Sequence, residues 1–230
     1  VDVARVLALV ATAAVAGLLV LLVRRRPRAR MPVRALLVTM LLGGTAAYLA
    51  AEAALAELSV WDLLPLHLCD FAIFVTALAL LTARRGLAEV AYFWALTGTV
   101  LAMATPDVAG AFPDWRWFAY YGMHGAVVVS AVVLVVGLGL RPRPGAPWRV
   151  FGWTVAYAAV VALVDLATGA NFLYLRHKPA EPTMLDWFGP WPVYLAVAGL
   201  VGLALFHVLM LPFRDLPGRP RSRNAGVLIV

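Results

Sequence analysis

Residues 6–30 read VLALVATAAVAGLLVLLVRRRPRAR, an uncharged run from Val6 to Val23 followed by Arg24, Arg25, Arg26, Arg28 and Arg30. The run is long enough to cross a bilayer as a helix, which takes roughly 17–25 residues. Its charge order argues against a cleaved leader, in which positive charge precedes the apolar core. Here one arginine, Arg5, precedes the core and the cluster follows it. That is the order of an anchor whose N-terminus is translocated.

The same alternation continues along the chain. Further apolar stretches run over residues 35–51, 63–81, 87–104, 117–140, 150–168 and 192–211, giving seven spans with the first at 6–23. Arg34 joins the first cluster, Arg84 and Arg85 follow the third span, and Arg141, Arg143 and Arg149 follow the fifth. Arg214, Arg219, Arg221 and Arg223 follow the seventh, so 15 of the 19 basic residues fall in every second connection. Only Arg5, Arg116, Arg176 and Lys178 fall in the other set. Short cytoplasmic loops are enriched in Arg and Lys, so the pattern predicts the N-terminus outside and the C-terminus inside. Helix is the expected form, because unpaired backbone groups are too costly in lipid and the runs are too long for barrel strands.

Composition agrees. The 230 residues are 63% hydrophobic and 13% charged, with a mean hydropathy of +0.88. A soluble domain is about 45–50% apolar and about 25% charged, so a soluble fold would expose large apolar patches. The net charge of +7 would suggest nucleic acid in a soluble protein. In a membrane protein, topology explains it: no nucleic-acid partner is expected, and the basic connections face anionic lipid headgroups. Residues 1–214 form one helical membrane domain and 215–230 a basic cytoplasmic tail. Arginine outnumbers lysine 18 to 1 and Ala and Val abound, which hints at a GC-rich bacterial genome and a multi-pass protein of the bacterial inner membrane. The single cysteine, Cys69, allows no intrachain disulfide. There is no sequence repeat to support an inverted-repeat transporter.

Trp61, Trp115, Trp117, Trp187 and Trp191 lie near outer span ends, and Trp148 and Trp153 flank the inner end of the sixth span. These are expected in the aromatic belts at the two interfaces. Trp94 is the exception, inside the fourth span. Pro65 is expected to open the third span, where a missing N–H costs little. His207, near the inner end of the seventh span, reads as interfacial. Thr97 and Thr99 are expected to bond their own helix carbonyls.

The functional signal lies in ionisable side chains inside spans, where an Asp at mid-span costs about 2.5–3.5 kcal/mol on insertion scales. The third span carries His67, Cys69 and Asp70, the fifth His124 and the sixth Asp165. With the predicted topology His67, Asp70, His124 and Asp165 share one depth near the outer surface, which points to a pocket opening outward. On a continuous helix His67 and Asp70 share a face, while Cys69 lies about 200° from His67. A His/Asp/His cluster suits acid–base chemistry; its bland counterpart is a hydrogen-bonded contact holding helices together. The last exterior loop contains Asn171, the basic run Arg176-His177-Lys178 and closely spaced aromatics and prolines to Trp191, and reads either as an ordered lid or as an interfacial loop.

Three segments carry a family resemblance: Leu64-Pro65-Leu66-His67-Leu68-Cys69, Asn171-Phe172-Leu173-Tyr174-Leu175-Arg176 with Lys178-Pro179, and Leu185-Asp186-Trp187-Phe188-Gly189-Pro190-Trp191-Pro192. In this order they resemble the YwaF-like family of bacterial integral membrane proteins, from about the third span to the seventh. That family is similar to a eukaryotic transmembrane acyltransferase group that remodels ether phospholipids. The resemblance implies a lipid-directed acyltransferase or hydrolase, with His67 or His124 as base and Asp70 fixing a histidine tautomer. The nucleophile would be Cys69, a threonine or water. The eukaryotic group places a cysteine directly before the motif histidine, where this chain has Leu66. Asp165, Asn171, Arg176, His177 and Lys178 would bind substrate, the basic triplet holding a lipid phosphate. The sequence implies no particular cofactor. The alternatives are a non-catalytic membrane factor, able to hold a divalent metal through His67, His124 and a carboxylate, and, less well supported, a transporter or proton relay.

Overall fold

The computed structural model describes residues 3–54, 64–106, 111–179 and 183–214. Trp61 and the basic tail at 215–230 lie outside the described residues. Seven helices cross the bundle, each antiparallel to the one before. They are α1 (Val3–Arg25), α2 (Arg30–Ala54), α3 (Leu68–Thr82), α4 (Arg85–Trp94, widening into a π turn at Ala95–Thr99 and resuming at Val100–Ala104), α5 (Trp115–Val132, closing in a π turn at Val133–Gly137), α6 (Ala146–Thr168) and α7 (Val193–Met210). Six are long and apolar enough to cross a membrane; α3, at 15 residues, is the shorter apolar helix. The described structure is therefore an all-α membrane bundle.

The third span departs from expectation. Helix begins at Leu68, leaving Leu64–His67 outside it, with His67 as the N-cap residue at φ −67° and ψ 149°. Pro65 disfavours helical backbone at Leu64. The Leu66 N–H turns back to the Leu64 carbonyl, and the Leu66 carbonyl accepts the Tyr157 hydroxyl at 3.0 Å. These bonds hold the entrance segment in a non-helical path. The helix–face geometry expected for His67, Cys69 and Asp70 does not apply, because His67 stands at the helix entrance.

Nearly every residue from Ala88 to Ala95 on α4 and from Val127 to Val135 on α5 is buried, so these two helices form the centre. A helix that is apolar all round belongs inside a protein or against lipid, and composition alone cannot distinguish the two. Neighbouring helices decide it: α5 packs against α1, α2, α3 and α4, and the α6–α7 pair lies against α4. Small residues allow the closest approach. A Cβ added at Gly137 would sit 2.8 Å from Val23 Cγ2, and one at Gly125 would sit 3.0 Å from Thr12 Oγ1. Glycines at such crossings let membrane helices pack backbone to backbone.

At one end of the bundle, arginines cap helices. Arg34 donates to the Leu80 and Leu81 carbonyls at 2.6 and 3.0 Å, closing the end of α3. Arg24 donates to Val136 O and Arg30 to Val23 O, while Arg85 donates to Arg141 O in the non-helical connection that follows α5. The last four carbonyls of a helix lack internal partners and carry partial negative charge, so cations satisfy them. The arginines that mark the predicted inner face therefore also terminate helices. At the same end, Glu89 of α4 is 2% exposed. It accepts from Arg143 N, Nε and Nη2 at 2.8, 2.8 and 2.9 Å, and from Arg149 Nη2 at 3.3 Å to both carboxylate oxygens. These hydrogen bonds, then the carboxylate's charge, raise the Arg143 pKa above its ordinary value.

The four basic residues of the opposite end are also held. Arg5 donates to Ala104 O at 3.1 Å, Arg116 pairs with Glu52 at 2.8 Å, Arg176 donates to Gly169 O and Ala170 O, and Lys178 lies 3.6 Å from Asp186. Trp187 and Trp191 are exposed, as expected of belt residues, whereas Trp117 is 9% exposed and packs on Tyr121 at 4.4 Å. Trp94 is buried in the core, where its indole N–H donates to Thr154 Oγ1 at 2.8 Å.

Candidate functional site

The site is built around the non-helical entrance to α3. His67 caps no backbone N–H, and its ring meets two residues of the last loop: Phe172 edge-on at 5.4 Å and Tyr174 at 5.7 Å. The Asp70 carboxyl, in the first turn of α3, lies close enough to interact with the His67 ring by charge. No hydrogen bond joins them. The next residue, Phe71, stacks on Tyr157 of α6, with centroids 4.6 Å apart and planes 13° apart. Tyr157 also lies within electrostatic reach of Asp70. One side chain thus holds the Leu66 carbonyl, flanks Asp70 and packs the α3 entrance against α6.

The loop that covers His67 is tied by polar contacts. Asn171 Oδ1 accepts from the Arg176 and His177 backbone N–H groups at 3.0 and 3.2 Å, and Asn171 Nδ2 donates to the His177 carbonyl at 2.9 Å. Asp165 Oδ1 accepts the Phe172 N–H at 2.9 Å. The Tyr194 hydroxyl donates to the Tyr174 carbonyl, and the Trp191 indole donates to the Leu175 carbonyl at 3.0 Å. Leu173 and Tyr174 have φ of 56° and 55°. Left-handed backbone at bulky residues costs of order 1–3 kcal/mol each and persists only where the surroundings over-determine it. The Asn171, Asp165 and Tyr194 bonds are those surroundings, and Tyr174 of the strained pair packs on His67. The loop is an ordered cover.

Not all expected site residues join this cluster. His124 Nδ1 bonds the Tyr120 carbonyl of its own helix at 2.8 Å, and the ring stacks on Tyr120 at 4.0 Å. No contact links it to His67 or Asp70, so shared depth on different helices does not become convergence here. Among the described residues no group of three or more His, Cys, Asp or Glu side chains is placed to hold a metal ion, so the metal-binding arrangement through His67 and His124 is not formed. Arg176 Nη1 closes the end of α6, and Lys178 is shared between Asp186 and the Tyr194 ring, 5.6 Å from its centroid. His177 Nδ1 faces Asn171 Nδ2 and the Lys178 carbonyl. The basic triplet is thus engaged in building the loop.

Cys69 neighbours the Thr99 hydroxyl, at the end of the α4 π turn. Thr97 bonds the Phe93 carbonyl at 2.6 Å as expected, but Thr99 makes no such bond. The π turn changes the register of the helix there, and Gly98 lets Leu68 approach: a Cβ at Gly98 would sit 3.2 Å from Leu68 Cδ2. Asp165 is fully buried, and its Oδ2 makes no hydrogen bond. Sequence reasoning passed over Tyr157, Glu89 and Glu52. Each interrupts an apolar run with a polar group, the same signal that singled out Asp70.

An all-α bundle with an ion-paired end, a polar site under an ordered loop and helices of spanning length defines a polytopic integral membrane protein. The chain belongs to the TMEM164 family, whose sequence model matches residues 2–210. An uncharacterised protein of Treponema pallidum (strain Nichols) is 33% identical over 156 residues, 66% of this chain. The chain spans 62% of the length of that relative. No solved structure matches it.

Proposed function

We propose that this protein is a lipid-directed acyltransferase or hydrolase of the bacterial plasma membrane, grouped with the YwaF-like proteins, and that His67 is its general base. The observation that carries the reading is the state of His67. Its ring nitrogens make no hydrogen bond among the described residues, the Asp70 carboxyl interacts with it by charge, and aromatic rings hold it from the loop side. His67 would take the proton of an attacking hydroxyl, from water or from an acceptor lipid. Asp70 would stabilise the imidazolium and its orientation, as the acid of a triad does. The oxyanion formed at the ester carbonyl would face the first-turn N–H groups of α3, which the N-cap side chain leaves unbonded and which suit developing negative charge. His67 would then return the proton to the departing lipid oxygen.

A covalent variant through Cys69 has one supporting observation, the position of Cys69 in that same first turn. The test is turnover of a labelled phospholipid by purified protein in vesicles, beside the melting temperature. His67→Ala should fold and lose turnover. Cys69→Ala should retain it under direct hydroxyl attack and lose it under the covalent route, because alanine carries no nucleophile. Full turnover in His67→Ala would overturn the proposal.

A further inference from the structure

A second site lies at the opposite, arginine-rich end. A cavity of about 300 Å³ opens between the start of α6 and the end of α7, lined by Pro147, Trp148, His207, Met210, Phe213 and Arg214 among others. Both walls are fixed. Arg143 and Arg149 bind the α6 side to Glu89, and Arg149 also donates to the Pro144 carbonyl at 2.8 Å. On the α7 side, Phe213 packs edge-on against Tyr92 at 5.8 Å, and the Tyr92 hydroxyl donates to the Leu209 carbonyl.

The distribution of charge identifies the occupant. At this end Arg24, Arg30 and Arg34 donate to helix carbonyls, Arg85 donates to the Arg141 carbonyl of the α5–α6 connection, and Arg143 and Arg149 pair with Glu89. The Arg214 guanidinium lines the cavity, and no hydrogen bond or ion pair of its side chain occurs among the described residues. The Trp148 indole N–H likewise has no bonded partner there, and its ring, 61% exposed, stands edge-on to His207 at 5.4 Å. His207 Nδ1 bonds the Leu203 carbonyl, so Nε2 is the ring nitrogen left for a ligand. A free guanidinium, a free indole N–H and an apolar floor at the end of two spanning helices match a phosphate ester with acyl chains below it.

We propose that this cavity holds the headgroup of an anionic phospholipid from the leaflet at the arginine-rich end, with Arg214 and Trp148 donating to its phosphate. The site is remote from His67 in the fold and does not depend on the chemistry proposed there.

The test uses the full chain in detergent, titrated with phosphatidylglycerol or phosphatidylcholine and read by native mass spectrometry. Phosphatidylglycerol should bind more tightly than phosphatidylcholine. Arg214→Ala should raise the Kd for phosphatidylglycerol about tenfold, or about 1.4 kcal/mol. Trp148→Phe, which keeps a ring and removes the N–H, should raise it about threefold, within the worth of one hydrogen bond. Arg84→Ala, which removes a charge from the α3–α4 turn of the same end, should leave it unchanged. Equal losses in Arg214→Ala and Arg84→Ala would show diffuse attraction and overturn the site, as would no preference for phosphatidylglycerol. Melting temperatures accompany each variant; if Arg214→Ala does not fold, Arg214→Gln and Trp148→Phe decide by the same criteria.

Discussion

Removing Arg143 should destabilise the protein more than removing the charge of its partner Glu89, and removing both should partly rescue it. The asymmetry comes from exposure. Glu89 is 2% exposed, while the side chains of Arg143 and Arg149 are 47% and 41% exposed. In Arg143→Ala the carboxylate stays buried and loses the two guanidinium contacts, at 2.8 and 2.9 Å, keeping the backbone N–H of position 143 at 2.8 Å and Arg149 at 3.3 Å. Because these remain, the low end of the usual 3–5 kcal/mol for breaking a buried pair applies, about 3 kcal/mol. Protonation sets a ceiling: neutralising a carboxyl of ordinary pKa about 4.3 at pH 7 costs about 3.7 kcal/mol. In Glu89→Gln the two guanidinium groups can rehydrate, so the cost is nearer 1.5 kcal/mol, the lower bound for hydrogen bonds to charged groups. The double variant leaves no buried charge and should recover roughly half of the Arg143→Ala loss, a coupling of about 3 kcal/mol. For a chain of this size 1 kcal/mol moves the melting temperature about 2–4 °C, so about 3 kcal/mol moves it about 6–12 °C. Thermal unfolding in one detergent at one scan rate measures all three variants. Losses that simply add, or a double variant less stable than Arg143→Ala, would refute the reasoning.

Tyr157→Phe keeps the stack on Phe71 and loses the bond to the Leu66 carbonyl. Stability should fall by about 0.5–1.5 kcal/mol, while phospholipid turnover falls further, because the segment holding His67 is released; unchanged turnover would remove Tyr157 from the site. Gly137→Ala should lower the melting temperature by an amount matching about 1–3 kcal/mol of overpacking, since its Cβ would meet Val23 at 2.8 Å. Gly152→Ala, with open space at that position, should not. A cytoplasmic reporter fused to the C-terminus should be active and alkaline phosphatase silent there; the reverse would overturn the predicted orientation.

The sequence determines an all-α membrane protein and the number of bundle crossings, with helix ends placed only to within about five residues. The reason is physical: long apolar runs have no alternative in lipid, and charge marks where they stop. His67, Asp70 and Asp165 were legible for a related reason, because a polar group in an apolar run is costly and must be answered by something. What answers it was not legible. Helices apolar on every side carry no face, so sequence could not say that α4 and α5 are central, that His124 bonds its own helix, or that Phe172 and Tyr174 pack on His67. Nor could it show that the arginines of the basic connections cap helices and hold Glu89. Those outcomes depend on which side chains meet across 50 to 110 positions of chain, as between Trp94 and Thr154 or Arg24 and Val136. Tertiary packing alone decided them, because the free energy of a buried polar group depends on the partner it finds.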